Sequence, residues 1–248
     1  MNALITGASD GIGKEMALIL AERGYHIIAV ARNKEKMEQS FKNIKKKTII
    51  SLDLSLQENC FKLYEQLKSE KIDILINNAG YGIFGEFKNA NLENELNMID
   101  LNIKATHILT KLFLKDFIKK DKGYILNVAS IGSFFASPFL SSYYGTKAYT
   151  FNLTLGIKEE LSRNKSNVYL GVFCPATINT NFHKIAGISG KIKGLSTRKA
   201  SEYAINKMFK KKTIIIPSYA KFFPFFISII PKRLITKLAY SIQLKKQN

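Results

Sequence analysis

Residues 2–13 read NALITGASDGIG. An apolar run ends at Thr6, and Gly7, Gly11 and Gly13 follow within seven residues. A helical pattern then continues to Arg23 and stops at Gly24. Strand, glycine-rich turn and helix, in that order, make the context in which a glycine pattern becomes a dinucleotide site. Glycines let the backbone come close to a pyrophosphate, and the helix N-terminus stabilises its negative charge.

The same alternation repeats along the chain. Residues 26–31 (HIIAVA) read as a second strand. A chain that binds NAD usually ends this strand in an acid that holds the ribose hydroxyls. Here Ala31 and Arg32 stand there. A guanidinium binds a 2′-phosphate that a carboxylate would repel, so NADP is the expected cofactor. A helix is predicted over 34–46, a third strand over 48–52 and a helix over about 55–70. Asp53, just after the third strand, has two readings: a contact to the adenine amino group, or the N-cap of the next helix.

Residues 72–76 (IDILI) read as the fourth strand and run into Asn77, Asn78, Ala79 and Gly80. Small residues at the C-terminal edge of a parallel strand leave room for a cofactor, and the amides can tie neighbouring strand ends together. Residues 92–117 contain one or two helices with Asn102 in the middle, where a side chain that competes for backbone groups is unfavourable without a reason. Residues 123–129 form a fifth strand that delivers Ser130, and a helix covers 143–163. A sixth strand covers 167–173, a helix 197–210 and a seventh strand 213–216. Between them, 181–196 read as a loop with short helical parts, a candidate substrate lid. Alternating strands and helices imply an α/β fold: a Rossmann-type doubly wound, parallel, seven-stranded sheet. No repeat or linker interrupts it, so 1–216 read as one domain and 217–248 as a C-terminal extension.

The chemistry is concentrated in residues 130–147, SIGSFFASPFLSSYYGTK. Tyr143 and Lys147 are four residues apart, hence on one face of a helix. A free phenol has a pKa of about 10. A lysine ammonium one turn away is expected to favour the phenolate and lower it. Tyr144 would project about 100° round the helix, off that face. Ser130, at a strand end, would hold a carbonyl oxygen beside the phenol. A proton donor with an oxygen clamp is half of a carbonyl reductase, and the N-terminal glycine turn offers the hydride donor's site.

These residues are similar to the short-chain dehydrogenase/reductase family over about residues 2–216. Thr6, Gly7, Gly11, Ile12 and Gly13 resemble its TGxxxGIG motif, and residues 77–80 its NNAG. Ser130 with Tyr143 and Lys147 resemble its catalytic serine and YxxxK, and 175–180 its PGxVxT with Ala176 in place of glycine. The resemblance implies an NADP-dependent oxidoreductase that interconverts a ketone or aldehyde and an alcohol. Its catalytic residues would be Asn102, Ser130, Tyr143 and Lys147, with Asn102 holding a water in the proton relay. Implied cofactor contacts are Thr6, Gly7, Ser9, Asp10, Gly11, Ile12 and Gly13 at the turn, then Arg32, Asp53 and Leu54. Asn78, Ala79 and Gly80 would follow, then Tyr143 and Lys147, and finally Pro175, Ala176, Thr177, Ile178 and Thr180 near the nicotinamide. A homodimer or homotetramer is implied. The competing class is a non-catalytic NADP-responsive regulatory protein, which would need no proton donor.

Composition sets the remaining bounds. The chain has 248 residues, 46% of them hydrophobic, and a formal charge of +19. Its mean hydropathy is −0.05, as in a protein with a real core. After Glu160 there are 17 basic residues against one acid, Glu202, so +16 of the charge lies there. One-sided charge points to an anionic partner or surface. No nucleic-acid recognition motif accompanies it, and no nucleic-acid partner is expected. Cys60 and Cys174 share no metal-ligand spacing; buried free thiols and no metal site are expected. The N-terminus lacks the pattern of a signal peptide, so a cytoplasmic location is expected. No apolar run approaches the ~20 residues of a spanning helix. In the extension, Pro231 is placed to open a helix with Leu234, Leu238 and Ile242 along one stripe beside Ile235. With Lys232, Arg233, Lys237, Lys245 and Lys246 alongside, three partners fit: a membrane surface touched peripherally, an apolar, lipid-like substrate, or another subunit.

Overall fold

The computed structural model describes residues 1–179, 182, 186–187 and 194–244. β1 (Asn2–Thr6) sits inside a seven-stranded sheet, paired in parallel with β2 (His26–Ala31) on one edge and β4 (Ile72–Asn77) on the other. β3 (Lys47–Ser51) lies outside β2. β5 (Tyr124–Val128), β6 (Tyr169–Phe173) and the two-residue β7 (Ile214–Ile215) follow beyond β4. The order is therefore β3-β2-β1-β4-β5-β6-β7, all parallel, as the alternation of elements predicted.

Parallel strands must be covered on both faces, and the near-continuous apolar strands reflect this. Odd positions of β1 face one core and even positions the other. Ile5 packs with Met16 and Leu20 of α1 (Gly11–Glu22) and with Ile205 of α7 (Thr197–Phe209). Leu4 packs with Leu63 of α3 (Gln57–Leu67) and with Phe113 and Phe117 of α5 (Thr106–Lys119).

A helix end and a loop differ from the sequence expectation, and the stretch around Asn102 fits it with an added π-helical turn. Helix α2 (Lys34–Ser40) stops well before residue 46. Phe41 turns fully into the core, and Lys47 Nζ takes the carbonyls of Phe41 and Ile44 at 2.8 and 2.9 Å, so the chain leaves the helix with its end capped. The stretch around Asn102 is α4 (Leu92–Ile99) running into α5 through a π-helical segment, Asp100–Ala105. The loop 181–196 ends in a short strand, Leu195–Ser196, which pairs with Ile178–Asn179 as a separate parallel ladder.

The extension forms α8 (Phe223–Ile229) and α9 (Lys232–Leu244). It packs on the segment between β5 and α6 (Ser141–Arg163): Phe223 meets the Phe135 ring at 5.5 Å, and Gln243 donates to Ser137 Oγ at 3.1 Å. The inward face of α9 is Ile235, Ala239 and Gln243. The stripe of Leu234, Leu238 and Ile242 is exposed.

A buried polar ladder ties the sheet to its helices. Asn77 of β4 donates to Asn127 Oδ1 of β5 at 2.9 Å and to Thr110 Oγ1 of α5 at 3.0 Å. Asn127 in turn donates to Thr154 Oγ1 of α6 at 3.0 Å. All four residues are buried, so each bond lost leaves a polar group without water. Asn127→Ala breaks two of these bonds and opens a cavity; it should cost about 3 kcal/mol in urea unfolding. A loss below about 1 kcal/mol would mean that the ladder does not hold these elements together.

Candidate active site

The strand order reverses at β1 and β4, and at such a point the loops leave in opposite directions and open a crevice at the C-terminal strand ends. A cavity of about 720 Å³ lies there. One end is bounded by the glycine-rich turn and the ends of β2 and β3, the other by Ser130, Tyr143 and the segment after β6.

At the turn, Gly7 and Gly11 adopt φ of 65° and 55°, the left-handed region that favours glycine. The turn is pressed against the end of β4. A Cβ on Gly13 would sit 2.3 Å from Asn78 Nδ2 and 2.4 Å from Gly7 O. Asn78 Nδ2 donates to the carbonyls of Thr6 and Gly7, and Thr6 Oγ1 accepts from the Asn78 and Ala79 amides. Thr6 and Gly13 thus lock the turn in place and do not line the cavity; Gly7, Ser9, Asp10, Gly11 and Ile12 do. Asp10 caps α1 by accepting from Gly11 N at 2.7 Å.

Beside the turn, Arg32 stands 3.7 Å from Asp53, and Lys36 Nζ is 2.6 Å from Asp10 Oδ2. Asp53 Oδ1 accepts from the Ser55 amide and hydroxyl, so it organises the turn that enters α3, whose N-cap is Leu56. Sequence reasoning did not identify Lys36; its signal was a further cation four residues after Arg32, in the first turn of α2. Two cations, a helix N-terminus and a close-packed glycine turn fit the phosphates of a dinucleotide. Leu54, Asn78, Ala79 and Gly80 continue the wall, and so do Pro175, Ala176, Thr177 and Ile178 across the crevice. Thr180 lies outside the described residues.

At the other end, Tyr143 and Lys147 are 8% and 5% exposed. Lys147 Nζ donates to Val128 O at 3.0 Å and stands 5.8 Å from the centre of the Tyr143 ring. Burial lowers the Lys147 ammonium to about 8, with Cys174 pulling slightly the other way. Burial also pushes the Tyr143 phenol well above its usual value, against a hydrogen bond with Ser130 that pulls it down. The expectation that the phenol would be lowered is corrected: desolvation dominates at Tyr143, and the same desolvation drives Lys147 toward its neutral form. Ser130 Oγ also accepts from Gly132 N at 3.1 Å, which holds the hydroxyl beside the phenol.

Asn102 is buried and does not reach the cavity. Its Oδ1 accepts from Tyr81 N at 3.1 Å, and its Nδ2 donates to Tyr81 O and Thr146 Oγ1 at 2.9 and 3.0 Å. The π-helical segment lets a mid-helix asparagine make these bonds. Tyr144, expected off the Tyr143–Lys147 face, also lines the cavity, with its ring 5.9 Å from that of Tyr143. Tyr81, Ile83, Leu140 and Phe182 add an apolar wall that sequence reasoning did not identify. Of the proposed lid, Phe182, Ala186 and Gly187 line the cavity; residues 180–181, 183–185 and 188–193 lie outside the described residues. Cys60 and Cys174 are buried free thiols, and no metal-binding cluster occurs among the described residues.

Residues 1–187 match the family described as short chain dehydrogenase. A very-long-chain 3-oxoacyl-CoA reductase of Pyrenophora tritici-repentis is 33% identical over 204 residues, 77% of this chain and 58% of that protein. The protein of the same name from Mus musculus is 28% identical over 242 residues, 89% of this chain and 77% of that protein. The chain spans about half the length of the curated fungal relatives it matches, 50 to 58%. A short-chain dehydrogenase from Sphingobium yanoikuyae in complex with NADPH has a TM-score of 0.84 at 28% identity, over 89% of this chain and 90% of that one. One from Burkholderia phymatum in complex with NAD has a TM-score of 0.80 at 16% identity, over 89% of each chain, which shows the shared fold. The family match begins at β1 and ends past the sixth strand at the cavity wall, so it takes in nearly every element that builds the crevice: the chain belongs to the short-chain dehydrogenase family.

Proposed function

We propose that this chain is an NADPH-dependent reductase of apolar, lipid-like ketones or aldehydes, reversible toward the alcohol. The observation that carries the reading is a buried phenol beside Ser130, with a buried lysine one turn on, facing a cavity that has the glycine-rich turn and Arg32 at one end and apolar side chains at the other.

The glycine turn and the N-terminus of α1 would hold the pyrophosphate, Arg32 and Lys36 the 2′-phosphate, and residues 78–80 and 175–178 the nicotinamide half. When bound, the cofactor supplies the hydride. Ser130 donates to the substrate carbonyl oxygen and polarises it. Tyr143 gives its phenolic proton to that oxygen as negative charge develops there. A raised pKa suits this direction, because the phenol stays protonated until a more basic alkoxide forms beside it. The Lys147 ammonium, aimed by Val128 O, stabilises the phenolate left behind. Asn102 is a positioning residue: it fixes the Tyr81 backbone and Thr146, the neighbour of Lys147.

Tyr81, Ile83, Leu140, Tyr144 and Phe182 favour an apolar substrate. The names of the fungal and mouse relatives support a long-chain 3-oxoacyl thioester as the first candidate. Leu92 and Leu96, both exposed and one turn apart on α4, suit a contact between copies of the chain.

NADPH oxidation followed against 3-oxoacyl thioesters and simple ketones of increasing chain length tests this reading. Tyr143→Phe should lower kcat at least about 1000-fold with NADPH binding unchanged, since the proton donor is lost and the cofactor wall is kept. Turnover within tenfold of wild type would remove Tyr143 from the mechanism. Lys147 loses its proton as pH rises through about 8. The reductive kcat should therefore fall by about tenfold per pH unit above that point, and a flat profile to pH 10 would contradict the role of its charge. Arg32→Asp should shift preference from NADPH to NADH by about tenfold or more. Unchanged NADPH affinity in that variant would dissociate Arg32 from the 2′-phosphate. Tight NADPH binding without turnover of any carbonyl by the wild type would favour a regulatory role.

A further inference from the structure

The outward side of the C-terminal helices is unlike the rest of the surface. Phe225, Phe226 and Ile229 of α8 are each more than 60% exposed, and Leu234, Leu238 and Ile242 of α9 are about half exposed or more. The three α9 residues are spaced i, i+4, i+8 and so form one stripe. The adjacent stripe, Ile235, Ala239 and Gln243, is the one that packs on the protein. Large apolar side chains gathered on one short segment mark an interaction surface.

Charge identifies the partner. After Glu202 the chain holds ten basic residues and no acidic one. Lys221 precedes α8, Lys232 opens α9, and Arg233 and Lys237 each stand one residue, about 100° of helix, before Leu234 and Leu238. Two copies meeting through this face would set the same cations against each other with no carboxylate of the segment between them. An anionic bilayer offers the opposite charge together with an apolar layer below it. No helix among the described residues is long and apolar enough to cross a membrane, so the surface would lie on the bilayer.

We propose that α8 and α9 dock the protein on an anionic lipid bilayer, with their apolar stripe in the interface and their cations at the headgroups. Both helices pack on residues that adjoin the cavity wall. Phe223 packs on Phe135, which packs on the cavity residue Tyr144, and Tyr240 packs on Phe139, the neighbour of the cavity residue Leu140. Docking thus places the apolar end of the cavity close to the lipid surface, from which an apolar substrate can enter. The docking itself does not depend on the reductase reading, and its test needs no turnover.

The full chain is sedimented with vesicles of phosphatidylcholine alone, and with vesicles of phosphatidylcholine and phosphatidylserine in equal parts. The wild type should pellet with the anionic vesicles, less so as salt is raised, and stay in solution with the neutral ones. Leu234→Ser with Leu238→Ser, and separately Arg233→Glu with Lys237→Glu, should each weaken partition at least about tenfold while circular dichroism and NADPH binding stay unchanged. A wild type that remains in solution with anionic vesicles overturns the proposal. So does either double variant that pellets as well as the wild type. A dimer in sedimentation velocity that Leu234→Ser with Leu238→Ser turns into monomer, without vesicle binding by the wild type, would assign the face to a second copy.

Discussion

β1 is hydrogen-bonded along both edges, to β2 and to β4, and this double pairing sets out the rest of the molecule. The connection that follows β1 leads to one side of the sheet and the one that follows β4 leads to the other. Their loops diverge and leave a crevice at the C-terminal strand ends. The glycine turn can then lie flat on the end of β4, where Asn78 and Thr6 stitch it down with side-chain bonds to backbone. The glycine turn takes its position from that junction.

The Tyr143 end of the crevice shows two opposed physical effects at one place. An ammonium and a phenol stand one helical turn apart, and in water the first would favour ionisation of the second. Both are buried, and desolvation acts on each toward its neutral form. The protein offsets part of this cost with Val128 O for the ammonium and Ser130 for the phenol. In the proposed reaction the phenol would keep its proton until a stronger base forms beside it. The Asn77–Asn127 ladder and the Asn102 bonds below it make the arrangement stiff, because each is a buried polar contact with no water to replace it.

The extension packs beside the crevice. Phe223 and Tyr240 pack on Phe135 and Phe139 next to Tyr144 and Leu140, and the extension's outer residues leave a greasy, positively charged face in solvent. A helix that was merely covering the core would place its leucines inward; α9 puts Ile235 and Ala239 there and leaves Leu234 and Leu238 outside.

The sheet, its parallel sense and its seven strands were legible in the alternation of apolar runs with helical patterns. So were the glycine turn, Arg32, Ser130 and the Tyr143–Lys147 pair, because each is a local pattern with a chemical reason. Other features depended on contacts between residues far apart in the chain. Lys36 acquires meaning only when α2 swings back toward Asp10, and Asn102 only when Tyr81 and Thr146 meet it across the fold. The early end of α2 was decided by Phe41 finding the core, against a sequence that continued to favour helix. The sign of the shift at Tyr143 could not come from spacing, because spacing places the lysine charge nearby but says nothing of how much water both groups lose. Short-range pattern specified the elements and the candidate site residues by itself; burial, a property of the assembled whole, decided the direction in which their protonation shifts and which face of the last helix looks outward.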